Sequence, residues 1–281
     1  MPGFDMHIHS TASDGYYNAE EIIDLALATN NVNGIAITDH DTVAALPQAS
    51  AYAKKLNYPL IPGIELSAEY EGCDVHILGY WIDIAKMAAN DDLKHICQAR
   101  EERFRQMANR LAALNMPVAV ETLIAESAQT QHSLGRPHLA QAMVKAGYAE
   151  NVREAFRKWL SRDMPAYVPR FKLSPFEALH MIAQAFGIAV LAHPGTGAPD
   201  NLIKLLAQQG LGGIEVYHSE HNKAAEKKYL RMAQHYHLAA IGGSDFHMVG
   251  QRSIGCRLTM PEQLTLLKQA RITQKTNRQK A

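Results

Sequence analysis

The sequence predicts an α/β fold of barrel type, and three observations carry that expectation. Short apolar runs recur along the chain, and most precede a stretch with helical periodicity, the pattern of parallel strands joined by helices. About seven such units occur, which suits a (β/α) barrel. Histidines and carboxylates gather where the runs end, at what would be the C-terminal mouth of that barrel. The length of 281 residues allows one large domain or two small ones, with a sizeable core.

The first run, "FDMHI", alternates as a half-buried strand does. "NAEEIIDLALATN" follows as a helix. Asn18 is its N-cap, Glu21 completes a capping box, and Ile22, Ile23, Leu25, Ala26 and Leu27 form its apolar face. "NGIAIT" is the next strand, residues 42–56 the next helix, and "PLIPGIELS" and "DVHILGYWI" are two further strands. The alternation then stops. Residues 95–172 read as helices, in "HICQAREERFRQMANRLAAL", "RPHLAQAMVKAG" and "NVREAFRKWLS", with 12 Lys and Arg against 7 Asp and Glu. This segment is expected to be a helical insertion that caps the mouth of a barrel built from 1–94 and 173–281. The rhythm resumes with the strand "GIAVLAHPG" and the helix "NLIKLLAQQG". The strand "GGIEVYH", the helix "NKAAEKKYLRMAQHY" and the strand "LAAIGGSDFH" complete it. The tail from Thr273, "TQKTNRQKA", is polar and basic and reads as a disordered end.

Composition excludes several classes of protein. Net charge is zero, so no whole-molecule field draws in polyanions. The cysteines, Cys73, Cys97 and Cys256, are odd in number and lack a CxxC spacing, which argues against a disulfide framework and for a reducing compartment. No apolar run reaches the roughly 18 residues of a membrane span, and the first residues hold Asp5, His7 and His9 rather than an apolar signal core. The cytoplasm is the expected location.

The chemistry lies at the strand ends. Residues two apart on a strand share a face, so His7 and His9 point the same way, a start for a divalent metal site. Alone the pair says little. The later strand ends add Asp39 and His40, Glu65, His76, His193, and Asp245 with His247, while Asp14 sits in the opening loop. So many polar groups at one buried place need a shared partner, and metal ions supply one. Imidazole and carboxylate without thiolate suit manganese, zinc or iron.

The ordered set "DMHIHS…SDG", "AITDHD", "PGIELS", "VHILGY", "LAHPG" and "GSDFH" resembles the polymerase-and-histidinol-phosphatase (PHP) superfamily over nearly the whole chain. "TASDG", "TDHDT", "GRPHLAQ" and "FRKWL" followed by "AYVP" resemble its 3′,5′-nucleoside bisphosphate phosphatase and 5′-to-3′ exoribonuclease branch. The resemblance implies a distorted (β/α)7 barrel with three divalent metal ions, Mn²⁺ favoured, with Zn²⁺ or Fe²⁺ as alternatives. It implies that His7, His9, Glu65 and Asp245 hold the first ion. Glu65, His76 and His193 would hold the second, and Asp14, His40 and His247 the third. Many relatives have histidine where this chain has Asp14, so one neutral ligand becomes an anion here. Asp39 is expected to orient a histidine ligand.

Hydrolysis at such a centre proceeds by water attack in line on phosphorus, with no protein nucleophile. Asp245 and His193 are the candidate catalytic residues, and Asp245 or a histidine can supply the leaving oxygen's proton. Ser10 and Ser244 read as turn and capping residues. Arg103 and Arg136, with Gln106 and His138 behind them, are expected to grip a second phosphate, which arginine forks match bidentately. A solvated helix face fits Arg100, Arg105 and Arg110 better. Tyr167, Tyr217 or Phe171 could stack on a base or simply pack. His218 and His221 read as surface or loop residues. The function expected is a metal-dependent phosphoesterase that removes the 3′-phosphate of 3′,5′-nucleoside bisphosphates. The same pocket could trim short RNA from its 5′ end. The alternatives are a histidinol-phosphate phosphatase, which would leave the arginines without a role, and a non-catalytic, metal-stabilised nucleic-acid-binding module.

Overall fold

A computed structural model describes residues 2–130, 133–169, 171 and 173–280, with the backbone alone at 126–130 and 275–280. Seven strands form one sheet in chain order: β1 (Gly3–Asp5), β2 (Val32–Ile37), β3 (Leu60–Tyr70), β4 (Cys73–Tyr80), β5 (Ile188–Leu191), β6 (Gly213–Tyr217) and β7 (Ala239–Gly242). The sheet curls until its two edges nearly meet. Beyond β1 and β7, Ile8 bridges Phe246, and the His9 N–H donates to the Phe246 carbonyl at 2.9 Å. His7 and His9 therefore lie past the end of β1, on the run that closes the barrel.

Parallel pairing, expected throughout, fails at one strand. β4 runs antiparallel to both β3 and β5. The cause is local: only Glu71 and Gly72 separate β3 from β4, both at positive φ (49° and 80°), as a two-residue hairpin turn requires. A crossover helix has no room there, so the barrel is distorted at this point.

The helices around the barrel are α1 (Ala19–Leu27), α2 (Leu46–Lys55), α3 (Ile84–Ala89), α8 (Pro175–Gln184), α9 (Asp200–Gln208), α10 (Lys223–His235) and α11 (Pro261–Lys280). The capping box at α1 is formed: the Asn18 side chain accepts from Glu20 and Glu21 N–H, and Glu21 accepts from Asn18 N–H at 2.8 Å. The tail expected to be disordered from Thr273 instead continues α11, because no Gly or Pro follows Pro261 to stop the helix. Arg271 and Gln274 tie that helix to the carbonyls of Phe186, Trp81 and Gly210.

Between β4 and α8 lie α4 (Asp91–Ala113), α5 (Val120–Thr130), α6 (Arg136–Lys145) and α7 (Val152–Ala155), the last continued by a π-turn at Phe156–Leu160. α4 begins at Asp91, four residues before the expected boundary at 95. These helices bury their own cluster, including Phe104, Met107, Leu111, Leu139, Met143 and Leu160. The barrel buries a separate one around Ile22, Ile35, Leu66, Ile77, Ile182 and Ile214.

Candidate active site

Glu65 stands at the centre. β3 carries it, and its backbone is fixed between Asp39 and Asp41: Glu65 N–H donates to the Asp39 carbonyl at 3.1 Å, and Asp41 N–H to the Glu65 carbonyl at 2.9 Å. Five histidines converge on its carboxylate. Oε2 lies 3.3 Å from His7 Nε2, 3.2 Å from His9 Nε2 and 3.0 Å from His40 Nδ1. Oε1 lies 2.9 Å from His76 Nδ1 and 3.2 Å from His193 Nε2. Asp245 Oδ1 meets His9 Nε2 at 3.2 Å and His7 Nε2 at 3.5 Å, and Asp14 Oδ1 meets His247 Nε2 at 3.2 Å. His193 and Asp245 both have positive φ (20° and 53°), a backbone strain that collects at functional sites.

All nine expected ligands fall into groups whose donor atoms lie within 4.8 Å of one another. Asp14, His40 and His247 form one group, joined by His9. The other groups cut across the expected partition: His7, His9 and Asp245; His7, Glu65 and His193; His40, Glu65 and His76. The residues fit divalent cations. Glu65 Oε2, Asp14 Oδ1 and His40 Nδ1 are buried yet make no hydrogen bond among the described residues. Such atoms are costly to bury unless a ligand meets them.

Burial opposes charge on each of these groups, and opposite charges mostly overrule it. His9 is pushed up to about 10: burial pulls it down, but Asp245, Glu65 and Asp14 outweigh that. His7 rises well above its ordinary value, burial again being outweighed, here by Glu215, Glu65 and Asp245. Burial would raise Glu65 and Asp245, yet the surrounding histidines hold both well below the usual carboxylate range. His40 goes the other way, because burial, helped by His9 and His76, keeps it neutral.

The sequence reading assigned no role at the centre to four residues near it, Glu215, His218, His221 and Arg252. Glu215 of β6 is fully buried; its Oε1 is 3.0 Å from His7 Nδ1, and its Oε2 accepts from His193 N–H at 2.9 Å. Its signal was the one that revealed Glu65, a carboxylate inside an apolar strand. His218, expected at the surface, is 1% exposed, with Nε2 3.4 Å from Asp245 Oδ2. His221 is buried too, its ring between the Val216 carbonyl and the Gly195 N–H. Arg252 pairs with Asp245 and with Glu220. Asp39 reaches a histidine indirectly. It accepts from Ser10 N–H, Ser10 Oγ and Ser13 Oγ, and Ser13 Oγ lies 3.4 Å from His9 Nδ1.

One pocket opens onto this centre between the barrel and α4–α6. Asp14, His40 and His76 of the centre line it, and so do Arg100, Arg103 and Arg136 of α4 and α6. The Arg103 and Arg136 guanidiniums lie 5.6 Å and 5.9 Å from the Tyr167 ring centre, so both cations sit over that ring. Arg103 Nε also donates to the Val168 carbonyl at 2.7 Å. Phe171 lines the pocket and remains 45% exposed. Arg100 is not on a solvated face as expected; it reaches inward to Asp41 and donates to the Leu134 carbonyl at 3.2 Å. Arg105 and Arg110 do lie outside this pocket, Arg105 beside Glu101 and Arg110 on the Tyr167 carbonyl. Gln106 is exposed and bonded to Glu102, away from the pocket. His138 accepts from Gly135 N–H at 3.1 Å, capping α6. His132 and Arg170 lie outside the described residues.

A near-closed seven-stranded barrel with a histidine–carboxylate centre at the strand ends is the form of a metal-dependent phosphoesterase. Residues 5–257 match the family model of the PHP domain. The chain belongs to the PHP family. A Chromobacterium violaceum protein named 3′,5′-nucleoside bisphosphate phosphatase is 34% identical over 268 residues, 93% of each chain. The 5′-3′ exoribonuclease Rnm of Salmonella typhimurium is 34% identical over 251 residues, 87% of this chain and 85% of that one. A crystal structure from Bifidobacterium adolescentis, provisionally named a metal-dependent phosphoesterase, superposes with a TM-score of 0.88 at 28% identity over 96% of each chain.

Proposed function

We propose that the protein removes the 3′-phosphate of 3′,5′-nucleoside bisphosphates, with α4–α7 as the cap that grips the second phosphate. One observation carries this reading: a single pocket is lined both by Arg103 and Arg136 of the helical segment and by His40, His76 and Asp14 of the centre. A substrate with two phosphates a nucleoside apart uses both sets, whereas histidinol phosphate uses one. The relatives' names, a nucleoside bisphosphate phosphatase and an exoribonuclease, support a phosphorylated nucleotide as the substrate class.

His7, His9, Glu65 and Asp245, then Glu65, His76 and His193, then Asp14, His40 and His247 would hold divalent ions, Mn²⁺ favoured over Zn²⁺ or Fe²⁺. Such ions supply Lewis acidity toward phosphoryl oxygens and make water a better nucleophile. The chain's own groups do the rest. Arg103 and Arg136 bind the 5′-phosphate as forked donors. Tyr167, packed against both guanidiniums, fixes their separation. Glu215 holds His7 by Nδ1, so that Nε2 faces Glu65 and Asp245. Asp245 and His193 are the candidate catalytic residues beside the reacting phosphate, and the Asp245 carboxylate, kept ionised by the histidines around it, can accept a proton from the attacking water. The three free thiols suit the reducing cytoplasm.

Phosphate release from 3′,5′-bisphosphoadenosine in Mn²⁺ tests the reading. Arg103→Ala with Arg136→Ala should raise its KM on the order of a hundredfold, the effect of losing buried charge-paired contacts. Hydrolysis of 3′-AMP should change little. No release from the bisphosphate, or equal efficiency on both substrates in the unaltered protein, would overturn it.

A further inference from the structure

Asp245 divides its two carboxylate oxygens. Oδ1 faces the other candidate ligands, 3.2 Å from His9 Nε2, 3.5 Å from His7 Nε2 and 3.6 Å from His247 Nδ1. Oδ2 faces away from them and meets the Arg252 guanidinium, with His218 Nε2 at 3.4 Å. Glu65 differs, since histidines meet both of its oxygens.

Arg252 is itself held firmly. Its Nη2 donates to Glu220 Oε1 at 2.6 Å. Its Nη1 donates to the Asp245 carboxylate and also to the Asp245 carbonyl, the latter at 3.1 Å. One buried carboxylate closes the neck of the loop that carries it: Asp5 Oδ1 accepts from Ser244 N–H at 2.9 Å, and Oδ2 from Gly255 N–H at 2.8 Å. Ser244 precedes Asp245 and Gly255 follows Arg252, so Asp5 fixes both ends of the span between them. His218 and Glu220 belong to the loop after β6, which is fixed as well. His218 Nδ1 accepts from Glu220 N–H at 3.2 Å, and Arg257 Nε donates to the His218 carbonyl at 3.2 Å.

Asp245 needs such a clamp. Its φ is 53°, a region that a residue with a Cβ adopts only where its surroundings impose it. The contacts of Nη1, one to the side chain and one to the carbonyl, fix carboxylate and backbone together. We propose that Arg252 is a positioning residue for the cation site at His7, His9 and Asp245. It holds Asp245 so that Oδ1 stays turned toward the two histidines, with Glu220 as its anchor. The inference rests on the reading of Asp245 as a metal ligand.

Two effects of Arg252 oppose each other. A positive charge beside a ligand repels an incoming cation. Glu220 matches that charge, so little net field remains at the site. Orientation has no such offset: without the guanidinium, Asp245 can turn about its Cα–Cβ bond and its backbone can relax. Losing Arg252 therefore weakens metal binding. The same matching leaves Arg252 no free charge for a substrate phosphate, so its loss acts through Asp245 and leaves KM alone.

The test titrates Mn²⁺ into metal-free protein by calorimetry. It compares the unaltered chain with Arg252→Ala, Arg252→Lys, Glu220→Gln and Asp245→Asn. Arg252→Ala should weaken one Mn²⁺ site about ten- to a hundredfold, the usual effect of losing an outer partner, and leave other sites unchanged. Arg252→Lys keeps a cation on Asp245 and should recover most of that loss. Glu220→Gln should weaken the same site to a smaller degree and add nothing in the Arg252→Ala background. Melting curves in chelator check that each variant folds, and the milder pair carries the test if Arg252→Ala does not. With 3′,5′-bisphosphoadenosine, Arg252→Ala should show a low kcat at limiting Mn²⁺ that returns as Mn²⁺ is raised, at unchanged KM. Suppose Asp245→Asn weakens a site while the Arg252 and Glu220 variants bind as the unaltered chain does, or more tightly. The positioning role then fails and Asp245 remains a ligand. A kcat that stays low at saturating Mn²⁺ also sinks it. If Asp245→Asn keeps every site at full affinity, the ligand reading fails and the role of Arg252 with it.

Discussion

Glu215 shows how much one residue can hold. It grips His7 through Nδ1 and the His193 backbone N–H at once, so it sets two candidate ligands from behind. Gly243 leaves room for this: a Cβ there would come within 2.3 Å of His7 Cβ and 2.9 Å of Glu215 Oε1. Glu215→Gln keeps the shape but can no longer present a charged oxygen to the imidazole. Its metal affinity should drop roughly ten- to a hundredfold, the usual effect of losing such an outer partner. Isothermal titration of Mn²⁺ into the metal-free variant measures this. Unchanged affinity would mean that Glu215 only packs. At this scale much of the centre was legible. His7, His9, Glu65 and Asp245 stand in short motifs at strand ends, where polar residues have no other reason to collect. His218 and Arg252 were not legible, because each belongs to a loop whose path depends on the tertiary fold.

At the scale of elements, α4 meets the barrel through Arg100. Its guanidinium pairs with Asp41, whose other oxygen accepts from Ser67 N–H at 2.8 Å, two residues beyond Glu65. Asp41 itself sits at positive φ (52°), directly after His40. A helix outside the barrel thus braces the strand ends that carry two candidate ligands. Arg105, five residues on, pairs among the described residues with Glu101 and Glu121 in partly solvated contacts. The two arginines look alike in sequence, since helical spacing does not say which residue finds a buried carboxylate. They should differ in energy. Arg100→Ala strands a buried Asp41 charge and should cost about 3 kcal/mol in urea unfolding. Arg105→Ala should cost about 0.5 kcal/mol or less. Equal losses would show that Arg100 does not brace the barrel. The reversed strand β4 was illegible for a similar reason. The sequence marks its hydrophobic alternation, but its direction depends on how tightly two residues can turn.

The whole molecule concentrates its electrostatic strain at one end of the barrel. Net charge is zero, yet six histidines and three carboxylates meet within a few ångströms. The carboxylates around His7 and His9 raise both histidines, which gives the stability of the metal-free protein a definite pH dependence. The folded pKa of His9 is about 10, above the unfolded value of about 6.5. Between those values the folded chain binds more protons than the unfolded one, so stability is full below about 6.5 and falls as pH rises toward 10. Cations reverse the trend, because they must displace those protons and so bind more tightly as pH rises. Each occupied site adds about 2.7 kcal/mol at a hundredfold excess over its Kd. Melting curves in chelator should therefore shift down from pH 6.5 to pH 9, and the rise in Tm on adding Mn²⁺ should be larger at pH 9. His9→Gln should make the chelator series less steep, since it removes one of the raised histidines, with His7 and His193, whose protons are lost as pH rises. A Tm in chelator that holds level across this range, or an Mn²⁺ effect that shrinks with pH, would mean that the carboxylates do not raise these histidines.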